Sequence, residues 1–146
     1  MDLQIKGKRA IMAGGSAGMG RATAERLAEA GAELVITARR RERLEKAAEE
    51  IATKYKVTVK PIVADSSKAE DRARLLEACP DPDILAITIK PPAPNGDFLK
   101  VTPDMWRESI DTALIGPIEL MRQYIPHMKN MGWGRIVNIA TFSAKN

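Results

Sequence analysis

The chain has 146 residues, 45% of them hydrophobic and 4% aromatic, a length that fits one compact domain with a real core. Its 23 Lys and Arg against 19 Asp and Glu leave a formal charge of +4, which favours anionic ligands without choosing among nucleotides, nucleic acids and acidic surfaces. The single cysteine, Cys79, excludes an intrachain disulfide or a cysteine metal cluster and points to a cytoplasmic setting, and the scattered charges from Met1 to Ile11 suggest neither a signal peptide nor a membrane span.

In chain order, the apolar run Arg9 to Ala13 stops at Gly14-Gly15, and Gly18 to Ala30 sets Ala22, Leu27 and Ala30 among charged residues: strand, glycine turn, helix. Gly31 stops that helix, Glu33 to Thr37 is a second strand, and a charged helix follows from about Arg41 to Tyr55. Val57 to Val63 is a third strand, after which Asp65-Ser66-Ser67 can cap a helix reaching about Ala78. Ile84 to Ile89 is a fourth strand, followed by a loop that Pro91, Pro92, Pro94 and Asn95-Gly96 make irregular. Thr102-Pro103 starts a long helix toward Asn130 that Pro117 and Pro126 should kink or shorten. Arg135 to Ala140 is a fifth strand. Strands alternating with helices predict an α/β fold: a Rossmann-like, doubly wound parallel sheet of about five strands in the order 3-2-1-4-5, with no linker or repeat dividing residues 1–146.

The glycines stand as Gly14-x-x-x-Gly18-x-Gly20 between a strand and a helix. A phosphate needs backbone N–H groups without side chains in the way, and the following helix adds its positive end at the same spot. Gly14 permits the tight turn, Gly18 the close approach of a ligand, and Gly20 the packing of helix on strand. Ser16, Ala17 and Met19 complete the candidate pyrophosphate loop, with Ser16 offering a hydroxyl at its tip. The competing reading is a plain strand-to-helix turn, for which two glycines would suffice.

At the end of the second strand, where an acidic residue would hold an unphosphorylated ribose, stands Ala38, followed by Arg39, Arg40 and Arg41. Cations at a helix N-terminus are disfavoured by roughly 0.3–1 kcal/mol each, so an anion is expected to offset them. A 2′-phosphate held by the forked guanidinium of Arg39 favours NADP over NAD; the alternative is a solvated helix start balanced by Glu42, Glu45, Glu49 and Glu50. Asp65, with Ser66 beside it, could reach the adenine amino group or equally cap the next helix.

These features, together with Trp106 in the long helix and Gly134-Arg135-Ile136-Val137-Asn138-Ile139 as a fifth strand, make the chain resemble the short-chain dehydrogenase/reductase family over essentially its whole length. The resemblance implies hydride transfer between NADP(H) and a carbonyl or alcohol. It further implies a Tyr as general acid and base, a Lys lowering its pKa, a hydroxyl holding the carbonyl oxygen and an Asn supporting a proton relay. The family's Asn-Asn-Ala-Gly after the fourth strand is here Ile87-Thr88-Ile89-Lys90, and the relay Asn falls on Ala113. The carbonyl-holding hydroxyl falls on Thr141, with Ser143 as a fallback and a turn-forming role as the alternative. The Tyr-x-x-x-Lys pair would lie about a dozen positions beyond Thr141, and neither Tyr55 nor Tyr124 has its context. The expectation is therefore the N-terminal part of a longer enzyme, inactive by itself.

Smaller signals point to structure. His127, the sole histidine, reads as a surface or capping residue, no metal site is expected, and Met105, Met121, Met128 and Met131 read as core or helix contacts. The loop from Pro91 to Phe98 could border a substrate pocket or be a rigid crossing. The resemblance adds a homodimer or homotetramer and a small-molecule substrate. Nucleic acid is not expected as a partner, since no aromatic platform accompanies the arginines, and neither is a membrane, since the N-terminus from Met1 to Ile11 has no continuous apolar segment. The alternative to an enzyme is a dinucleotide-binding sensor or scaffold.

Overall fold

Five short strands, β1 (Arg9–Ala13), β2 (Glu33–Ala38), β3 (Val59–Val63), β4 (Ile84–Ile87) and β5 (Arg135–Asn138), pair in parallel in the order β3-β2-β1-β4-β5. The helices are α1 (Gly18–Glu29), α2 (Arg41–Tyr55), α3 (Ala69–Ala78), α4 (Pro103–Ile110) and α5 (Gly116–Met131). The computed structural model describes residues 3–90 and 97–139. The sheet order and alternation are those expected from the sequence.

The two-residue period of the strands sorts the core into two layers. Ala10, Met12, Leu34, Ile36, Ile84 and Ala86 pack against Ala24, Ala28, Leu44, Ala47 and Ile51 of α1 and α2. Ile11, Ala13, Val35, Leu85 and Ile87 pack against Leu75 of α3 and Leu120 and Tyr124 of α5. Alanines on α1 and α2 bring both helices close to the sheet, while Leu44 and Ile51, fully buried, each contribute roughly 1.5–3 kcal/mol of burial.

Several boundaries differ from the sequence reading. The turn after α2 passes through Lys56 in the left-handed region (φ 56°) and takes up Val57 and Thr58, so β3 starts at Val59. Pro61 fits there because β3 is an edge strand and its missing N–H breaks no inner ladder. Helix α3 starts at Ala69 with Lys68 at its N-cap, because Asp65 turns the chain locally before the helix begins. Strand β4 ends at Ile87, although the Thr88 amide still donates to the Ala13 carbonyl at 2.9 Å.

The long helix is interrupted at Asp111–Ile115 by a π-helical segment, where the Gly116 amide reaches back to the Asp111 carbonyl. Pro117 supplies the physical reason: it has no N–H to give the Ala113 carbonyl, and its ring would collide with that carbonyl in a regular helix. Pro126 sits inside α5 without ending it, and Gly132, at φ 66°, closes the helix. In β5, at the edge of the sheet, Val137 is 51% exposed.

Candidate nucleotide-binding site

The loop between β1 and α1 is fixed by backbone contacts. The Gly14 and Gly15 amides both donate to the Thr37 carbonyl, at 2.9 and 3.0 Å, tying the loop to β2. Gly14 has φ 89°, and a Cβ there would lie 2.9 Å from the Thr88 carbonyl oxygen. Gly20 is tighter still, with an added Cβ 2.0 Å from the Gly14 oxygen and 2.4 Å from Thr88 Oγ1. The first turn of α1 therefore rests directly on the loop and on the end of β4. Gly18 is the opposite case: at φ 53° it has nothing within 4 Å of an added Cβ, which leaves its surface free for a ligand.

Helix α1 opens after Ala17 with no side-chain cap and no acidic residue in its first turn. Its leading amides and its positive end are thus left to a ligand or to solvent. Above them lies a cleft of about 710 Å³ over the carboxyl ends of β1 to β4. Gly14, Ser16, Ala17, Gly18, Met19, Arg39, Asp65 and Ser66, all predicted from sequence as nucleotide contacts, line this one cleft. Ser16 is nearly buried rather than presented at the loop tip, while the Met19 side chain is largely exposed.

Charge in the cleft is one-sided. Arg39, Arg40, Arg43 and Lys90 line it against the single carboxylate of Asp65. Among the described residues none of the four cations has an ion-pair partner, whereas Arg41 pairs with Glu45 at 3.0 Å and Arg21 bonds both Glu25 and Glu50. Arg40 is itself the N-cap residue of α2, so this unpaired charge sits against a helix end that repels it.

Asp65 is occupied by its own turn. Its Oδ1 accepts from the Ser67 amide at 3.0 Å and from Ser67 Oγ at 2.7 Å, and its amide donates to Asp71 Oδ2 at 2.7 Å. That amide and the Arg74 guanidinium hold the Asp71 carboxyl below its ordinary value. Ser66 is buried, its carbonyl accepts from Arg72 Nη1 at 2.7 Å, and the same carbonyl would lie 3.0 Å from a Cβ on Gly116. The turn after β3 is thereby locked to the start of α5.

Sequence reasoning missed Thr37, Arg43, Thr88, Lys90 and Thr112 as cleft residues. Arg43 had a signal, since it lies one helical turn past Arg39 and Arg40. Thr88 and Lys90 had one too, because they leave the carboxyl end of a central strand, where ligands of α/β sheets bind. Thr112 had none: it is turned into the cleft, 5% exposed, by the π-helical segment. Ala113, the relay position, is its neighbour within that segment.

Thr141, Ser143 and positions 91–96 of the proline loop lie outside the described residues. Neither tyrosine lines the cleft: Tyr55 packs beside the α1 and α2 layer, and Tyr124, on the sheet-facing side of α5, is fully buried, which pushes its phenol up. His127 is half-buried on α5. Among the described residues no group of three or more His, Cys, Asp or Glu could hold a metal, and no helix is long and apolar enough to cross a membrane.

The family model for short chain dehydrogenases matches residues 8–146. The uncharacterized oxidoreductase YvaG of Bacillus subtilis is 30% identical over 147 residues, covering 99% of this chain and 54% of that protein. The 3-oxoacyl-acyl-carrier-protein reductase FabG of Aquifex aeolicus is 31% identical over 144 residues, covering 97% of this chain and 58% of its own. Among solved structures, L-sorbose reductase from Gluconobacter frateurii, complexed with NADPH and L-sorbose, matches at 29% identity with a TM-score of 0.87, over 94% of this chain and 54% of that one. The chain spans little more than half the length of the curated relatives it matches. With the sheet order, the glycine loop resting on β4 and a family match that runs almost from end to end, the chain belongs to the short chain dehydrogenases.

Proposed function

We propose that residues 1–146 form a single dinucleotide-binding domain, the N-terminal part of an NADP-dependent oxidoreductase acting on a small carbonyl or alcohol. The observation that carries this reading is the group of arginines, Arg39, Arg40 and Arg43, unpaired among the described residues, at the end of β2 and the start of α2, beside the uncapped N-terminus of α1. A 2′-phosphate would neutralise that group, and Ala38 leaves no carboxylate there to repel it. The NADPH bound by the matching L-sorbose reductase supports the same choice.

In this reading Ser16, Ala17, Gly18 and Met19 hold the pyrophosphate with backbone amides and the positive end of α1, while Gly14, its amide bonded to the Thr37 carbonyl, shapes the turn beneath it. Arg39 holds the 2′-phosphate, with Arg40 and Arg43 adding charge. Asp65 and Ser66 border the adenine. Bound NADP(H) supplies the hydride given to a carbonyl, or takes one from an alcohol. Thr141 is assigned to hold the carbonyl oxygen, as the family resemblance implies. The chain's only tyrosines, Tyr55 and Tyr124, stand away from the cleft, and Ala113 cannot relay a proton, so these residues bind cofactor without turning it over. The large apolar side chains exposed on α4 and α5, among them Trp106, Ile110 and Ile118, favour a homodimer or homotetramer, and the single cysteine supports a cytoplasmic setting.

Ala113 at the relay position also favours a second reading, a dinucleotide-binding sensor or scaffold. Titrating NADPH and NADH into wild type and Arg39→Ala tests the cofactor assignment. The wild type is expected to prefer NADPH, and the variant to lose about tenfold or more for NADPH alone, the value of one charge-assisted pair. Equal affinities in the wild type would overturn it. Supplying the companion catalytic segment and recovering ketone reduction would separate enzyme from sensor.

A further inference from the structure

Three of the four unpaired cations of the cleft gather at the end of β2, and the fourth, Lys90, stands apart beyond β4. Its place follows from the residues that lead out of β4. Ala86 packs in the α1 layer, Thr88 Oγ1 reaches toward the Gly14 carbonyl at 3.5 Å, and Ile89 packs on the opposite layer. Lys90 follows beyond the end of β4 and lines the same cleft as the glycine loop.

The sheet order then decides what Lys90 meets. On the NADP reading, on which this inference rests, the 2′-phosphate lies by Arg39 after β2 and the pyrophosphate lies on the loop after β1. In the order β3-β2-β1-β4-β5, the second nucleoside has only the β4 side left to occupy. That nucleoside carries the nicotinamide, which is a cation when oxidised and neutral when reduced. All other charges of the two forms are the same.

We propose that Lys90 makes the cleft discriminate the oxidation state of the cofactor, holding NADPH and disfavouring NADP+ through repulsion between its ammonium and the pyridinium. Attraction between Lys90 and the phosphates is common to both forms and cancels from their ratio. The device loads the site with reduced cofactor and eases release of the oxidised one, and it serves an enzyme or a redox sensor equally.

The test is to measure the affinities of the full chain for NADPH, NADP+ and 2′,5′-ADP, in wild type, Lys90→Met and Lys90→Arg. Lys90 is exposed, so these substitutions leave the core intact. Removing one like charge from the partly solvated mouth of the cleft should lower the preference for NADPH over NADP+ by about five- to tenfold, mainly through tighter NADP+ binding. Lys90→Arg should keep the wild-type ratio, and 2′,5′-ADP, which lacks the nicotinamide half, should bind all three proteins alike. An unchanged ratio in Lys90→Met, or an equal loss for both dinucleotides, overturns the inference while leaving the NADP reading in place. Failure of wild type to bind 2′,5′-ADP overturns the NADP reading itself, and this inference with it.

Discussion

The two sides of the cleft are built by different means. On the β1-β2-β3 side, position is set by backbone: two glycine amides share the Thr37 carbonyl, Gly20 touches the Gly14 carbonyl, and the Asp65 turn is closed by its own hydrogen bonds. On the β4-β5 side the lining comes from side chains, Thr88, Lys90 and Thr112, and the strand beyond is half open, with Val137 exposed. Holding phosphate needs amides and the absence of Cβ atoms, which a short stretch of chain can encode. Directing a reaction needs side chains brought in from separate elements.

The largest effect should come from the backbone side. Gly20→Ala places a methyl 2.0 Å from the Gly14 oxygen and 2.4 Å from Thr88 Oγ1, and the Gly14 backbone has little room to give. It is expected to cost about 2–4 kcal/mol of stability, seen as a lower urea midpoint, and to abolish NADPH binding. Gly18→Ala sharpens the contrast. It meets no protein atom and pays only left-handed strain, about 1 kcal/mol, yet its methyl intrudes where the pyrophosphate is proposed to lie. Affinity should therefore fall with stability largely kept. Equal midpoints for Gly20→Ala and wild type would mean that α1 does not rest on the loop.

Next in size is a change of cofactor preference. Ala38 ends β2 and lines the cleft beside Arg39. Ala38→Asp would set a carboxylate against a 2′-phosphate while offering an acceptor to a free 2′-hydroxyl. NADPH affinity is expected to drop by about tenfold or more, with NADH held or improved, the like-charge penalty exceeding one hydrogen bond. A variant that still prefers NADPH by the wild-type margin would move the phosphate away from Arg39.

How legible each side was follows from the same contrast. The glycine loop could be read because Gly14, Gly18 and Gly20 stand together between a strand and a helix, even though the contact with Thr88 that bars a side chain at Gly14 comes from far along the chain. Arg39 was legible from its place at a strand end. The start of α3 was misplaced because Asp65 spends its carboxylate on Ser67, a competition between turn and cap that the letters alone do not settle. Thr112 was hidden because its orientation depends on how the helix answers Pro117, five residues later, by widening into a π turn. Lys90 was seen only as a departure from a family motif, although its place just past the carboxyl end of β4 already put it where ligands bind.

The smallest effect tests whether the backbone side is held by charge as well as by geometry. Asp71 accepts the Asp65 amide and the Arg74 guanidinium, which together lower its pKa from an ordinary value of 3.8. A carboxylate whose folded value lies below its unfolded one adds stability that is complete above the unfolded value. That stability disappears as pH falls through 3.8 toward the lower folded value, because the unfolded chain takes up the proton first. Wild type should thus lose stability from just above pH 4 downward, and Asp71→Asn should remove part of that slope at a cost of about 0.5–1 kcal/mol at neutral pH. Because Asp71 braces the turn that carries Asp65 and Ser66, the variant should also weaken 2′,5′-ADP binding slightly, while leaving the NADPH to NADP+ ratio, a property of the β4 side, where it was. A shift in that ratio would show that the two sides are coupled through the turn.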